Sequence, residues 1–372
     1  MSPPSIVFIC GNGDTLYRFR LELIKSFINQ GYTVHAFAPE IPEDFLEELN
    51  QLGVVYHSIS FKRKTVNIFD AFRSIIDITT KLRKINPNMV FSYTHKAVVV
   101  GAICAFLAGR LRTISLITGT GHIFDNNNLI EKIKRFIGIV GFKISLSLSE
   151  TVFFQNPDDL ELFCSLGLVR RSSTILLNGS GVDLQKFSVQ PMPDSPVFLC
   201  MSRLIKSKGL IEYANASKIV KSKHKEARFL LYGFPDDHGD SIDENEIINN
   251  WFEKYGIEYL GFTNDPVTTI SESSVYVLLS YNEGTPRSVL EAMSMGRPIV
   301  TTDVPGCRET VLEGVNGFLS IHKNSESSAN AMMNLLDKDV REQMGKQSRD
   351  ICEQKYDVHA VNNDILMALK VI

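Results

Sequence analysis

The residues best suited to chemistry lie between 283 and 291, in the run EGTPRSVLE. An apolar, strand-like segment precedes this run, and the run itself opens a helix-like segment. Thr285 is therefore predicted to cap a helix whose first position is Pro286. The N–H groups at such a helix start attract anions. Glu283 stands beside this start and Glu291 follows about two turns later. Two carboxylates next to an anion-attracting helix start suit a neutral polyol that carries a phosphate, such as a nucleotide-sugar.

Two cations follow another predicted strand. Arg203 and Lys208 stand in the loop that leads to Gly209. A guanidinium can bind a phosphate through two hydrogen bonds, and an ammonium adds a compact charge. Because ligands bind parallel sheets at the carboxyl ends of the strands, we expect this pair to bind a diphosphate. Solvated surface positions are the alternative for these cations and for the two carboxylates.

Glycines and histidines mark a second region, in the first half of the chain. Gly11-Asn12-Gly13 follows the first predicted strand, and Gly13 would let the backbone approach a ligand closely. A dinucleotide fingerprint needs a third glycine that this segment lacks. His95 and Lys96 follow the fourth predicted strand, and His122 lies in a glycine-rich loop after the fifth. These three are candidates for a cleft or acceptor side, and a structural role is the alternative for each histidine.

Short apolar segments alternate with helix-like segments along the chain, which predicts parallel sheets covered on both faces. The fold class is therefore α/β, with two doubly wound, Rossmann-like domains. We place the boundary at the proline-rich segment 190–196, giving domains of residues 1–190 and 191–372. In a variant of this division, the last helix of the chain crosses back to the N-terminal domain. The predicted strands are 6–10, 33–38, 54–58, 89–92, 113–117, 152–154, 174–177, 197–200, 228–232, 258–260, 275–279 and 299–302.

Composition narrows the class of protein. The chain has 372 residues, 44% hydrophobic and 22% charged, which is typical of globular domains. Six scattered cysteines without a CxxC pair indicate neither a disulfide framework nor a zinc site, and favour a reducing, cytoplasmic setting. Neither a signal peptide nor a membrane-spanning run is predicted.

The charge is unevenly distributed. Residues 60–143 contain 14 basic and four acidic residues. Within this region, residues 129–142 mix Lys and Arg with Ile, Phe and Val, which suits a helix at a membrane interface. An anionic membrane surface or a diphosphate is therefore the expected partner, and a solvated charged face is the alternative. Nucleic acid is disfavoured, because few Tyr or Trp are interleaved with the cations.

Taken together, these motifs resemble those of the retaining glycosyltransferases of family 4, which have the GT-B fold. The resemblance covers nearly the whole chain and is most specific from Glu283 to Gly317, in EGTPRSVLEAMSMGRPIV, TTDVPGCRETV and EGVNGF. Arg203…Lys208-Gly209 and GSGVDLQKF (179–187) support it. YTHK (93–96), GTG (119–121) and FQNPDD (154–159) are similar to the bacterial capsule, O-antigen and glycan-assembly branch.

The resemblance implies two domains that face a cleft, and it implies a role for each motif. Its site residues would be Arg203 and Lys208 on the donor diphosphate, Glu283 on the donor sugar, Glu291 on the ribose, Thr285, Pro286 and Arg287 around the sugar, and Gly13 near the donor phosphate. Neither a metal nor another cofactor is implied, since the nucleotide-sugar is a substrate.

The implied reaction is retaining, metal-independent transfer of a hexose or N-acetylhexosamine from a nucleoside diphosphate, with uridine favoured. The acceptor would be a saccharide on undecaprenyl diphosphate, at the inner face of the cytoplasmic membrane, in surface polysaccharide assembly. Two alternatives stay open. A nucleotide-sugar 2-epimerase would consume donor without acceptor, and a non-catalytic sugar-nucleotide-binding protein would bind donor without turnover.

Overall fold

The computed structural model describes residues 3–61, 68–120, 129–236 and 239–372. The chain divides into two compact units, each containing one sheet. The N-terminal unit comprises residues 1–180 together with 359–372, and the C-terminal unit comprises residues 181–358. In the described ranges the sheets have seven and six strands, and every strand pair within them is parallel.

The sheet of the N-terminal unit has the strand order β3-β2-β1-β4-β5-β6-β7. Its strands are β1 (Ser5–Ile9), β2 (Thr33–Ala38), β3 (Val55–Ser58), β4 (Met89–Tyr93), β5 (Thr113–Ile117), β6 (Thr151–Phe154) and β7 (Thr174–Leu176). The helices of this unit are α1 (Asp14–Asn29), α2 (Glu43–Gln51), α3 (Ile68–Ile85), α4 (His95–Gly109), α5 (Leu129–Ser147), α6 (Pro157–Ser165) and the last helix, α14 (Val358–Ala368).

Alternation along β1 explains why helices cover both faces of this sheet. Side chains of a strand point alternately to opposite faces. Ile6 and Phe8 therefore join the core formed with α1, α2 and α14. Val7 and Ile9 join the core formed with α3 and α4. All four are fully buried, as expected for a central strand of a parallel sheet.

The C-terminal sheet has the strand order β10-β9-β8-β11-β12-β13. Its strands are β8 (Val197–Arg203), β9 (Arg228–Phe234), β10 (Ile257–Tyr259), β11 (Val275–Leu278), β12 (Ile299–Thr302) and β13 (Gly317–Ser320). The helices of this unit are α7 (Leu210–Lys223), α8 (Glu244–Glu246), α9 (Phe252–Tyr255), α10 (Pro266–Ser271), α11 (Arg287–Ser294), α12 (Ser325–Met333) and α13 (Lys338–Lys355). A π-helical stretch, Ile247–Trp251, joins α8 to α9.

The strand β13 is absent from the sequence-based prediction, because it is short and begins with a glycine. That glycine is required, since a Cβ at Gly317 would lie 1.9 Å from the carbonyl oxygen of Ile299. As an edge strand, β13 has backbone groups that point away from the sheet. The side chain of Glu313 accepts a hydrogen bond from Leu319 N at 2.6 Å, and Ser327 Oγ accepts one from Ile321 N at 2.9 Å.

The division between the units falls after residue 180, earlier than the predicted boundary at 190. Val182 and Phe187 explain the difference, because both are buried in a core of the C-terminal unit. The predicted linker is also fixed to this unit by two buried arginines. Arg297 donates to the carbonyls of residues 190 and 191 at 2.8 and 2.9 Å, and Arg341 donates to that of residue 194 at 2.5 Å. Residues 190–194 are thus held in place despite their prolines.

The outer surface of α3, α4 and α5 is unusually apolar. Helix α4 packs between the other two. Eight large apolar side chains on this surface are 39–68% exposed: Phe72, Ile76, Phe106, Leu107, Phe136, Ile137, Val140 and Ile144. We call these eight residues the apolar face. In the described ranges, no helix is both long and apolar enough to cross a membrane.

Candidate functional site

The C-terminal sheet reverses its strand order between β8 and β11. These strands are neighbours, but the chain continues from β8 toward β9 and from β11 toward β12. The loops that follow β8 and β11 therefore diverge and leave an opening at the carboxyl edge of the sheet, which is where ligands of such sheets bind. The loop after β8 carries Arg203 and Lys208, and the loop after β11 carries Glu283.

Lys208 and Glu283 form an ion pair at this opening. Ser280 Oγ donates a second hydrogen bond to Glu283 Oε1 at 2.7 Å. The Lys208 and Glu283 side chains are 19% and 16% exposed, so both charges are mostly shielded yet still accessible. The structure thus brings together a predicted phosphate ligand and a predicted sugar ligand that are 75 residues apart in the chain.

Two glycines with positive φ allow the loops to approach each other. Gly209 has a φ of +71°, and a Cβ there would lie 2.0 Å from the carbonyl oxygen of Leu279. Gly306, in the loop after β12, has a φ of +78°, and a Cβ there would lie 2.3 Å from the carbonyl oxygen of Glu283. Glu283 N also donates to the Pro305 carbonyl at 3.2 Å. The backbone of Glu283 is therefore held by the loop after β12.

Arg203 ends β8 and extends from the same edge of the sheet. Its Nη1 donates to Asp236 Oδ2 at 2.5 Å, so this guanidinium has a carboxylate partner just after β9. The Arg203 side chain remains 42% exposed. A guanidinium with one carboxylate contact and an accessible fork can still bind an anion. The structure thus pairs Arg203 with Asp236 and pairs Lys208 with Glu283.

The helix that follows Glu283 begins one residue later than predicted. Helix α11 starts at Arg287, and its N-cap is Pro286, which has an extended backbone. The prediction of Thr285 as the N-cap is therefore wrong. Pro286 has a ψ of 109°, which places it outside the helix, although its carbonyl accepts from Val289 N at 3.1 Å.

Arg287 and Glu291 lie on one side of α11, one turn apart. Arg287 Nε donates to Glu291 Oε1 at 2.9 Å, and their side chains are 25% and 12% exposed. This i,i+4 pair orients Glu291 beside the first turn of the helix. The second predicted carboxylate is thus part-buried and held by a cation rather than solvated.

The N-terminal sheet has its own reversal point, between β1 and β4. Gly11 N donates to Thr94 Oγ1 at 3.2 Å, which joins the loops that follow these two strands. Thr94 has a φ of +69°, an uncommon value for a residue with a side chain. At Gly13, a Cβ would lie 2.6 Å from the carbonyl oxygen of Glu40, so this glycine is needed for packing. Its approach to a donor phosphate stays a prediction.

His95 begins α4 at the same edge and holds another loop. Its Nε2 lies 2.5 Å from the carbonyl oxygen of Gly119, and we infer that Nε2 carries the proton and donates to this oxygen. The ring also meets Phe142 edge-on, with centroids 5.8 Å apart. Lys96 is exposed, with Nζ 5.6 Å from the Phe61 ring centroid. His122 lies outside the described residues, and a substrate role for these three residues stays a prediction.

Sequence reasoning missed the acidic partners of the loop after β8. Besides Asp236, Asp240 holds this loop, because its Oδ2 accepts from Ser207 N and its backbone carbonyl accepts from Lys206 N, both at 2.9 Å. Sequence reasoning also missed Ser280, which donates a hydrogen bond to Glu283. Asp236 and Asp240 come after β9, and only the order of the strands brings them beside the loop after β8.

Comparison with known families matches both units. Residues 7–156 match the family Glycosyl transferase 4-like, and residues 182–351 match Glycosyl transferases group 1. The chain is a glycosyltransferase. These matches confirm the resemblance that the motifs indicated.

Relatives and solved structures agree with this assignment over most of the glycosyltransferase. It is 25% identical over 346 residues to an N,N'-diacetylbacillosaminyl-diphospho-undecaprenol alpha-1,3-N-acetylgalactosaminyltransferase of Campylobacter jejuni, covering 89% of each chain. It is 24% identical to a UDP-Gal:alpha-D-GlcNAc-diphosphoundecaprenol alpha-1,3-galactosyltransferase of Escherichia coli, covering 77% of this chain and 76% of that one.

The crystal structure of Anabaena Alr3699/HepE in complex with UDP and glucose has a similar fold. It aligns with a TM-score of 0.79 at 18% identity, over 99% of this chain and 100% of that chain. The predicted fold class, two Rossmann-like α/β domains of the GT-B type, is confirmed.

Proposed function

We propose that this glycosyltransferase moves a hexose or N-acetylhexosamine, with retention at the anomeric carbon, from a uridine diphosphate donor to a saccharide carried on undecaprenyl diphosphate. The ion pair between Lys208 and Glu283 at the reversal point of the C-terminal sheet is the observation that carries this proposal. An ammonium and a carboxylate lie side by side there, and this arrangement supports binding of a sugar diphosphate, whose phosphates would accept from Lys208 and whose sugar hydroxyls would donate to Glu283.

On this proposal, binding of the donor opens the ion pair. The donor diphosphate takes Lys208 and the accessible part of Arg203, while the sugar hydroxyls donate to Glu283. Glu291, held by Arg287, accepts from the ribose. The first turn of α11 adds positive potential near Thr285 and Pro286. Lys208 thus exchanges a carboxylate for the diphosphate, and Glu283 exchanges an ammonium for hydroxyl donors, so both groups keep hydrogen-bond partners when the donor is bound.

The chemical step breaks the bond between the anomeric carbon and the phosphate oxygen. A hydroxyl oxygen of the acceptor forms the new bond on the same face of the sugar, and its proton passes to the departing phosphate. Negative charge grows on the diphosphate as the bond breaks, and Lys208 and Arg203 are placed to stabilise that charge. No side chain has to act as nucleophile, and Glu283 orients the sugar.

The relatives support the choice of substrates. One is named for UDP-Gal, two are named for acceptors on undecaprenyl diphosphate, and the Anabaena protein was crystallised with UDP. The relatives reported above are named as transferases, and each aligns with most of the length of this chain. The epimerase and the non-catalytic binding protein are therefore not favoured.

We also propose that the apolar face binds the inner surface of the cytoplasmic membrane, where a polyprenyl-linked acceptor resides. Phe136 and Ile137 on α5 are 68% and 64% exposed. Several exposed apolar side chains on one surface indicate an interaction site, whereas apolar residues that are exposed singly do not. Arg135 and Lys143 lie on the same helix, and cations beside apolar side chains favour an anionic lipid surface.

The test is release of nucleoside diphosphate from UDP-, GDP- and ADP-sugars, with and without an undecaprenyl-diphosphate-linked saccharide. We expect release from a UDP-sugar only when acceptor is present, and an α-linked product by NMR. Glu283→Ala should lower the rate roughly 100-fold or more, because a charged positioning contact is lost. Glu253→Ala removes an exposed carboxylate on α9 and should leave the rate unchanged. Donor turnover without acceptor would contradict the proposal in favour of an epimerase.

A further inference from the structure

Tyr281 and Glu212 form a contact close to Glu283 and Lys208, and this contact has no part in the proposed reaction. Tyr281 lies between Ser280 and Glu283 in the loop after β11. Its hydroxyl donates to both carboxylate oxygens of Glu212, at 3.0 and 3.1 Å. Glu212 is only 9% exposed and lies in the first turn of α7, four residues after Lys208.

The backbone adds a second connection between the same loops. Tyr281 N donates to the carbonyl of Ser207 at 2.9 Å, directly next to Lys208. The loop after β11 is thus joined to the loop after β8 by the Lys208–Glu283 pair and by this backbone bond, and it is joined to the first turn of α7 by the bond from phenol to carboxylate. Of the three, only the pair uses groups that the proposed donor would bind.

The Tyr281 ring is itself held from two sides. The His322 ring meets it edge-on, with centroids 4.7 Å apart and planes at 87°. Lys323 Nζ lies 4.5 Å from the centroid of the ring. Burial, with Glu212 next, raises the pKa of the Tyr281 phenol, so the phenol stays protonated and remains a donor at neutral pH. The buried carboxylate of Glu212 is stabilised by this donor and by the positive start of α7.

These contacts have a consequence for donor binding. If the donor takes Lys208 and Glu283 from each other, the ion pair can no longer hold the two loops together. The loops must nevertheless keep their separation, because a misplacement of about 1 Å costs on the order of 100-fold in rate. A connection that the donor does not touch is therefore needed at the moment when the pair opens.

We propose that Tyr281 and Glu212 form a lock that keeps Lys208 and Glu283 in register while the donor separates them. Both are positioning residues, and the proposal rests on the donor roles given above to Lys208 and Glu283. The lock acts on the turnover of bound donor more than on its affinity, since neither side chain is assigned to the ligand. Its two members are 69 residues apart in the chain.

The kinetic test compares wild type with Tyr281→Phe, which keeps the ring against His322 and Lys323 and removes only the hydroxyl. We expect kcat to fall about 10-fold or more, while the Kd for UDP stays within about three-fold. Glu212→Leu, which removes the acceptor oxygens, should act in the same direction, and the double variant should be no worse than the poorer single variant, because both remove one interaction. Tyr281→Phe with wild-type kcat would overturn the proposal.

Tyr232→Phe is the matched control. Tyr232 donates to Glu272 Oε2 at 3.1 Å, so it is also a phenol on a carboxylate in this unit, but it is outside both loops. Its kcat and Kd should equal those of wild type. An equal loss of kcat in Tyr232→Phe would attribute the effect to general destabilisation and would overturn the lock.

A third measurement separates failure of the lock from failure of the proposed function. Lys208→Met opens the ion pair without any ligand. In hydrogen exchange of the unliganded protein, we expect segments 206–213 and 279–284 to stay protected in Lys208→Met and in Tyr281→Phe, and to lose protection together in the double variant. Additive, small changes would overturn the lock. Wild type that binds no UDP and transfers no sugar would instead overturn the proposed donor roles, whatever the exchange shows.

Discussion

At the scale of single residues, the charged groups of the candidate site are already paired with one another. Lys208 holds Glu283, Arg203 holds Asp236 and Arg287 holds Glu291. Such pairs keep partly buried charges compensated until a ligand replaces one partner. The positions of Glu283, Glu291, Arg203 and Lys208 at this site could be predicted from local runs that follow predicted strands, whereas their roles stay predictions. Asp236, Tyr281 and Glu212 could not be predicted, because their partners are distant in the chain and no local pattern marks them.

Asp159 in the N-terminal unit gives a residue-scale prediction about pH. Burial raises the pKa of its carboxyl from 3.8 to about 6, against the hydrogen bond from Asn156 Nδ2 at 2.9 Å. Between about pH 4 and pH 6 the folded protein therefore holds a proton that the unfolded chain has released, and stability falls as the pH rises through this window. Asp159→Asn keeps an oxygen for Asn156 and removes this loss.

The free energy of unfolding from urea melts at pH 4.5 and pH 7 checks this prediction. The advantage of Asp159→Asn over wild type should grow with pH, by at most about 3 kcal/mol across the whole window. Asp44→Asn, an exposed carboxylate in the first turn of α2, controls for the loss of one negative charge. The same difference from wild type at both pH values would contradict the assigned cause.

At the scale of elements, the site depends on loops that approach each other more closely than side chains normally permit. Gly209 lies against the end of β11, and Gly306 lies under Glu283. The strands themselves could be predicted from continuous apolar runs such as that of Val275–Leu278. The contact between the loops could not be predicted, since a glycine in a loop sequence does not indicate which strand end the loop will contact. β13 was missed because Gly317 and Asn316 look like a turn.

Substitution of Gly209 tests this close approach. In Gly209→Ala the new Cβ would lie 2.0 Å from the Leu279 carbonyl oxygen, so the loop must move and carry Lys208 away from Glu283. We expect transfer activity to fall about 100-fold. The measurement is kcat/KM for the donor, together with the melting temperature.

Gly314→Ala separates the steric effect from the backbone penalty. Gly314 has a φ of +72° with open space around its Cβ position, at the amino end of β13 and away from the candidate site. It should lose about 1 kcal/mol of stability and keep its activity. Equal activity in both alanine variants would show that the approach of the two loops is not required.

At the scale of the whole molecule, the division of the chain differs from what composition predicts. The segment 190–196 has the prolines of a linker, yet two buried arginines attach part of it to the C-terminal unit. Local composition could not reveal this, because Arg297 and Arg341 lie more than 100 residues further on. The two sheets could be predicted from the alternation of segments, since parallel strands buried on both faces leave a strong apolar signal.

The apolar face gives a prediction at this scale. Replacing Phe136 and Ile137 together by serine removes two of its most exposed side chains, at 68% and 64% exposure. Co-flotation with vesicles of anionic phospholipid should fall on the order of 10-fold or more, since each side chain contributes about 1.5–3 kcal/mol when fully buried. Binding of the wild type should also weaken as salt is raised.

Phe252→Ser is the matched control for vesicle binding. Phe252 is 63% exposed but lies on α9 in the C-terminal unit, outside the apolar face. Its loss should leave flotation unchanged. If flotation fell as much in this variant as in the double serine variant, binding would reflect general hydrophobicity and not this face.

The edge strand β13 has a consequence for how the protein behaves at high concentration. Exposed strand edges recruit strands from other molecules, and this leads to aggregation. On β13 and directly after it, the N–H groups of Leu319 and Ile321 already donate to Glu313 and Ser327, and the carbonyl of Gly317 accepts from Gly314 N at 2.9 Å. An incoming strand would have to displace all three bonds. This side of the C-terminal sheet is thus closed to the growth of β-sheet between neighbouring copies.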